Sequence, residues 1–266
     1  MYVPYGKQTI SKEDLKEVRN VLESDFLTQG PVVPLFESEL AKYTGAKYGL
    51  AANSATSALH VACLALGVSE GDIVWTSPIS FVASSNCALY CGAEIDFVDI
   101  SLDTYNIDIN LLESKLIKAE SMGKLPKCVI PVHLAGSSCN MKAIYKLSKK
   151  YGFSIIEDAS HAVGASYEGK PVGSCEYSDI AIFSFHPVKI ITSGEGGMAL
   201  TNSDSLIEKM ALYRSHGITR DESLMKHGAD GPWYYEMLEL GFNYRMTDIA
   251  AALGNSQMKS LDKFVI

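Results

Sequence analysis

The chain returns again and again to short runs that do not alternate apolar with polar residues. Tyr48 to Ala52, Ile73 to Thr76, Cys128 to His133, Ser154 to Glu157, Ile180 to Phe185 and Gly197 to Thr201 are the clearest, and Glu94 to Val98 reads as a further strand. A strand with one wet face alternates, whereas a strand covered on both faces does not. Helical patterns lie between these runs, over about Pro34 to Thr44, Thr56 to Leu66, Phe81 to Tyr90, Leu111 to Ala119, Met141 to Tyr151, Ser205 to His216 and Met246 to Leu261. A first helix opens at a cap-like Ser11, with Asp14 three residues on, and runs to about Ser24. This order predicts an α/β fold: a mostly parallel sheet in a three-layer α/β/α sandwich. Thr219 to Tyr235, with its Gly-Ala-Asp-Gly-Pro-Trp, reads as the long mobile loop.

With 266 residues and 47% apolar content the chain can bury one large core, and its net charge is −8 with no long Lys/Arg run. That balance argues against nucleic acid or an anionic membrane as partner. Met1 to Gln8 lacks the charged-then-apolar order of a signal peptide, and no apolar stretch reaches spanning length, so a cytoplasmic protein is expected. The six cysteines, Cys63, Cys87, Cys91, Cys128, Cys139 and Cys175, form no Cys-x-x-Cys pair. They read as small packing residues, with no disulfide and no structural metal expected.

Polar residues follow the strands repeatedly: Asn53-Ser54, Ser77, His133, Asp158 with His161, and Ser184 to Lys189. In a parallel sheet, ligands bind beyond the carboxyl ends of the strands, so these positions predict a site. Lys189 follows a buried strand and precedes the Gly194-Glu195-Gly196-Gly197 turn. Burial lowers an amine's pKa and favours the neutral nucleophile that attacks carbonyls. Asn53 to Leu59 runs from a strand into a helix start, which suits a phosphate as well as an ordinary N-cap. Asp158 emerges from the sheet interior, as a buried anion or as a helix cap. Phosphate cradle, lysine and carboxylate together are what pyridoxal 5'-phosphate (PLP) needs. His161 suits a hydrogen bond to the cofactor or a structural role, and Phe81 suits ring stacking or the core. No serine stands in a Gly-x-Ser-x-Gly elbow, and the glycine turn is not a dinucleotide fingerprint.

Several stretches together resemble the DegT/DnrJ/EryC1/StrS family of sugar aminotransferases, PLP enzymes of fold type I. They are Thr28 to Pro31, Asn53 to Leu59, Ser80 to Ala83, Glu157 to Ala162, Ser184 to Lys189 with Gly194 to Gly197, and Leu240 to Asp248. The resemblance implies that Lys189 is the Schiff-base and proton-shuttling lysine, that Asp158 partners the pyridine nitrogen and that His161 lies beside the phenolic oxygen. It likewise implies that Ala55, Thr56 and Ser184 bind phosphate, that Phe81 stacks on the ring and that Asn243 reaches the phosphate of a second subunit in a homodimer. Arg245 and His186 become candidates for the substrate side.

L-glutamate is the implied amino donor. Ser184 to Lys189 and Arg214 to Ile218 most resemble members acting on the C4 ketone of a UDP-linked 6-deoxy sugar in pseudaminic acid synthesis. Such members carry a small C-terminal domain after the Leu240 to Asp248 motif, whereas this sequence ends at Ile266. The resemblance therefore divides the chain into an N-terminal helix and arm (1–30), a PLP-binding large domain (31–245) and a linking helix (246–266), and implies a shortened chain. Rival readings are the family's dehydratases, in which histidine replaces the lysine, a desulfurase-like enzyme, which needs a mobile cysteine, and a PLP-binding or cofactor-free scaffold.

Overall fold

The computed structural model describes residues 6–266. Positions 1–5, which include the start of the 1–30 arm and most of the Met1 to Gln8 stretch, lie outside the described residues. The longer helices are α1 (Lys12–Leu22), α2 (Val32–Thr44), α3 (Ala55–Ala65), α4 (Ala83–Tyr90), α5 (Ile109–Ser121), α6 (Met141–Tyr151), α7 (Asp204–Arg214) and α8 (Asp248–Met258), and the short α9 (Leu261–Val265) follows. A seven-stranded sheet holds β1 (Tyr48–Ala52), β2 (Ile73–Thr76), β3 (Glu94–Phe97), β4 (Cys128–Ile130), β5 (Ser154–Asp158), β6 (Ile180–Ser184) and β7 (Gly197–Thr201). Their spatial order is β1-β7-β6-β5-β4-β2-β3. From β3 to β6 every pairing is parallel. β7 runs antiparallel to both β6 and β1, so β1 again points with the parallel set.

The side chains explain why the strand sequences do not alternate. Leu50, Val74, Cys128, Ile130, Ile156, Ile180, Ile182 and Ala199 enter one core with α3, α4 and α7. Their neighbours Ala51, Ala181, Phe183, Met198 and Leu200 meet α2 and α8 on the opposite face. Trp75, Val129 and Ile155 meet α5 and α6 there. Both positions of each strand's period-two repeat are buried, so both are apolar.

Three expectations shift. The strand expected over Cys128 to His133 ends at Ile130, because Pro131 has no N–H for the ladder. The helix expected from Phe81 begins at Ala83, leaving Phe81 on the preceding turn and 70% exposed, so it is not a core aromatic. The C-terminal helix divides into α8 and α9 around Lys259 and Ser260. Thr219 to Tyr235 is closed at its base where Ile218–Thr219 pairs with Glu236–Met237, and it carries a 3-10 turn at Glu222–Leu224.

Two of the caps are made between distant segments. Ser11 and Asp14 form a local capping box on α1. Asp14 also accepts a hydrogen bond of 2.7 Å from Gln257 of α8. The N-terminus of α2 has no side chain of its own to cap it; the fully buried Asp248 of α8 does so instead. Its carboxylate accepts from the N–H groups of Gly30 and Val32 at 2.8 Å each, and from Val33 at 3.3 Å. At the sheet edge, Glu37 of α2 accepts from Ala51 N–H at 2.8 Å while Arg214 of α7 donates to Ala51 C=O at 2.9 Å. The two side chains pair at 2.7 Å, so helices from opposite faces clamp the outer edge of β1.

Candidate active site

Because β1, β2, β4, β5 and β6 all run the same way, their carboxyl ends share one edge of the sheet. Asp158 is the last residue of β5 and 4% exposed. A carboxylate this buried is costly unless hydrogen bonded. Here Ser84 Oγ donates to Oδ2 at 2.5 Å and the Ser160 N–H donates to Oδ1 at 3.2 Å. Lys189 is half-buried in the turn that follows β6, and its backbone N–H bonds to His186 C=O at 2.9 Å. Burial lowers the Lys189 ammonium pKa, and the nearby Asp158 charge opposes that shift. Among the described residues, Lys189 makes no ion pair within salt-bridge distance.

His161 belongs to the same electrostatic group. Burial lowers its pKa first and the Lys189 charge lowers it further, while Asp158 pulls the other way. Its Nδ1 accepts the Ala135 N–H at 3.3 Å, which assigns the ring proton to Nε2. The Ala135–Gly136 turn that makes this contact has positive φ at both residues, 53° and 88°. A side chain at Gly136 would meet the His161 carbonyl at 3.0 Å. Lys189, Asp158 and His161 therefore interact through the field of one site, although 31 positions separate lysine and aspartate.

The helix start lies across the sheet end from them. Ser54 caps α3, accepting the Ser57 N–H at 3.1 Å, and the first intrahelical bond runs from Ala58 N–H to Ser54 C=O. The N–H groups of Ala55 and Thr56 precede that bond and have no helical acceptor. Ser57 Oγ donates to Asn53 Oδ1 at 2.6 Å, which pins the turn. Gly197, the first residue of β7, lets α3 come this close: a Cβ there would stand 2.4 Å from Ala55 N. Ser184 is buried at the end of β6, and its Oγ accepts the His186 N–H only at 3.5 Å. Its own O–H has no acceptor among the described protein groups. Two free amides, a hydroxyl, a partly desolvated amine and a braced carboxylate form a donor set that fits a phosphorylated pyridine aldehyde.

Other expected residues fall as follows. Phe81 stands on the turn before α4, and its C=O accepts the Ser84 N–H at 3.1 Å. Asn243 is exposed; its backbone bridges to Ser215, and its C=O lies 3.4 Å from Asn53 Nδ2. Arg245 is half-buried, with its backbone bridged to Ala52 at the end of β1. His186 is exposed, and its Nδ1 accepts the Val188 N–H at 3.4 Å. His133 departs from expectation. It is completely buried, with Nε2 2.8 Å from Glu157 Oε2 and Nδ1 accepting the Cys139 N–H at 3.2 Å. Its ring nitrogens are both engaged in that network, so it is not a free group at the shared edge.

Sequence reasoning did not single out Ser84, the clamp of Glu37 and Arg214, or His60. The His60 ring packs among Tyr90, Phe242 and Tyr244, with Nδ1 3.2 Å from Tyr244 Oη. The i, i+4 spacing of Ser80 and Ser84 beside Phe81 was the one available sign of the first.

With this geometry in view, comparison with known proteins gives consistent relatives. The DegT/DnrJ/EryC1/StrS aminotransferase family profile matches residues 8–266. A UDP-4-amino-4,6-dideoxy-N-acetyl-beta-L-altrosamine transaminase of Campylobacter jejuni is 44% identical over 261 residues, 98% of this chain and 65% of the relative. The spore coat polysaccharide biosynthesis protein SpsC of Bacillus subtilis is 39% identical over 261 residues, again 98% of this chain and 65% of the relative. Among solved structures, Helicobacter pylori PseC, an aminotransferase involved in the biosynthesis of pseudoaminic acid, superposes with a TM-score of 0.87. It is 36% identical, and the match covers 99% of this chain and 67% of PseC. The PLP-form of the Streptococcus pneumoniae putative sugar aminotransferase Spr1654 gives a TM-score of 0.85 at 28% identity, covering 99% of this chain and 68% of that one. The chain spans 65% of the length of these curated relatives. By its profile match, its identity to these proteins and its fold, the chain belongs to the DegT/DnrJ/EryC1/StrS aminotransferase family.

Proposed function

We propose that this chain is the PLP-binding part of a cytoplasmic sugar-nucleotide aminotransferase. In this reading it moves the amino group of L-glutamate to the C4 ketone of a UDP-linked 6-deoxy-4-keto amino sugar. The observation that carries the reading is that Asp158 at the end of β5, Lys189 in the turn after β6 and the free amides of α3 after β1 stand at one edge of the sheet. The named sugar rests on the altrosamine transaminase at 44% identity.

Bound PLP supplies an electron sink next to the carbon that loses its proton. The chain's own residues do the rest. Ala55 and Thr56 N–H and the Ser184 hydroxyl bind the phosphate, and Gly197 keeps the space that lets them converge. Asp158 would hold a proton on the ring nitrogen, which a buried and doubly hydrogen-bonded carboxylate is placed to do. Lys189 would be the residue that holds the cofactor's aldehyde, and its Nζ would serve as the base for the donor's α-proton and as the acid that supplies a proton to the sugar carbon. Its lowered pKa favours the free base required for the first of these steps. His161, with its proton on Nε2, would donate to the oxygen on the ring. Phe81 would cover one ring face, and Arg245 and His186 would serve the substrate side. Asn243, exposed at the site's margin, is the residue we assign to a second copy of the chain in a homodimer.

A narrower reading, a cofactor-binding unit without turnover, draws support from the 65% coverage of the relatives. The visible spectrum of the purified chain with PLP, before and after L-glutamate, separates the two. A visible band absent from Lys189→Ala and bleached by glutamate supports the aminotransferase. A Lys189-dependent band that glutamate leaves unchanged supports the narrower reading, and no band at all sinks both.

A further inference from the structure

We infer that Ser84, backed by Ser80, is a positioning residue that fixes Asp158 for its contact with the ring nitrogen; this rests on the PLP reading above. Ser84 is fully buried in the first turn of α4, and Ser80 is half-buried on the turn before it. Their hydroxyl oxygens are 2.6 Å apart, and Ser84 Oγ lies 2.5 Å from Asp158 Oδ2. An ionised carboxylate has no hydrogen to give, so the single O–H of Ser84 is committed to Asp158. The hydrogen between the two serines must then come from Ser80. The donor order is Ser80 to Ser84 to Asp158, each bond polarising the next.

This is not the usual behaviour of a helical serine. Such a side chain bonds back to the carbonyl four residues earlier or points to solvent. Ser84 instead meets the side chain of the residue four earlier and reaches a different strand. Its backbone N–H is also committed, to Phe81 C=O at 3.1 Å. One residue therefore ties the turn that carries Phe81 to the carboxylate that ends β5. With the Ser160 N–H on the other oxygen, neither oxygen of Asp158 is left without a protein donor.

The consequence reaches the cofactor's charge. A proton held firmly on the ring nitrogen makes the chromophore of the PLP-loaded protein easier to deprotonate, and a loosened Asp158 holds that proton less firmly. We expect Ser84→Ala to raise the pH midpoint of the visible band by about one unit and to weaken PLP binding about tenfold. Ser84→Thr, which keeps the hydroxyl, should restore both. Ser80→Ala should move the midpoint the same way by less, since it acts through Ser84.

The test is a pH titration of the visible band with PLP for wild type, these variants, Asp158→Asn and Lys189→Ala, alongside thermal unfolding of the cofactor-free proteins. A midpoint in Ser84→Ala equal to wild type, while Asp158→Asn shifts it, would overturn the inference and leave the PLP reading intact. A band unaffected by both Asp158→Asn and Lys189→Ala would remove the PLP reading and this inference with it. If Ser84→Ala does not fold, Ser84→Cys, of similar volume but a weak donor, takes its place. A midpoint in Ser84→Cys equal to that of Ser84→Thr then counts against the role.

Discussion

At the scale of single residues, the chain separates groups whose chemistry is tuned from groups that merely pack. Cys91 is one such tuned group outside the PLP site. The neighbouring Cys63 does most to pull its thiol down, and His60 adds to this while burial opposes both. The Nε2 of His60 is buried with no hydrogen-bond partner among the described residues. Cys63 moves the opposite way, well up, and Cys128 and Cys175 are pushed up by burial. Alkylation with iodoacetamide should therefore modify Cys91 first, its rate rising through a midpoint below that of a free thiol. Equal rates at Cys91 and Cys128 by peptide mass mapping would refute this.

The sequence disclosed the chemistry of Lys189 and Asp158, because an amine and an acid placed after buried strands are conspicuous. It could not disclose Ser84, whose importance lies in meeting a carboxylate 74 positions away. Nor did it place His133, since a histidine after a strand looks the same whether it faces a ligand or Glu157.

At the scale of elements, most strands and helices were legible because burial on both faces left unbroken apolar runs. β2, β7 and α6 match the expected bounds, whereas the end of β4 was lost to Pro131. What remained hidden was the fastening between elements. Residues 243–248 form a belt: Asn243 bridges Ser215, Tyr244 C=O accepts the Asn53 N–H at 2.8 Å, Arg245 bridges Ala52, Thr247 bridges Thr28, and Asp248 caps α2. Such pairings leave no periodic trace. Asp248→Ala should strand three N–H groups, that of Val33 buried and those of Gly30 and Val32 partly buried, and cost about 2–3 kcal/mol. Urea denaturation reads this directly, and a loss below about 0.5 kcal/mol, the scale of an ordinary surface substitution, would show that the cap is dispensable. Asp248→Asn, which keeps one acceptor oxygen, should fall between.

At the scale of the whole molecule, the sheet's two edges are handled differently. β1 is clamped by Glu37 and Arg214, while β3 carries Glu94 and Asp96, the latter paired with Lys115 at 2.7 Å. The proposed dimer is testable by mixing. If Asn243 serves a second copy's site, co-expressing Lys189→Ala with Asn243→Ala should restore the visible band in about a quarter of sites, because half of randomly paired dimers are hybrids with one intact site each. A mixture no better than the two variants expressed apart would place Asn243 on its own chain's site. The belt carries one more consequence, in time rather than space. α1 and α2 leave the ribosome before α8, and their partners Gln257 and Asp248 follow 243 and 216 positions behind. At the usual pace of synthesis that interval is roughly 10–50 s. Throughout it the nascent α2 has no anion at its N-terminus and α1 has no helix to rest on. This architecture ties completion of α1 and α2 to the synthesis of α8, and makes the chain still lacking α8 the species with most need of a chaperone.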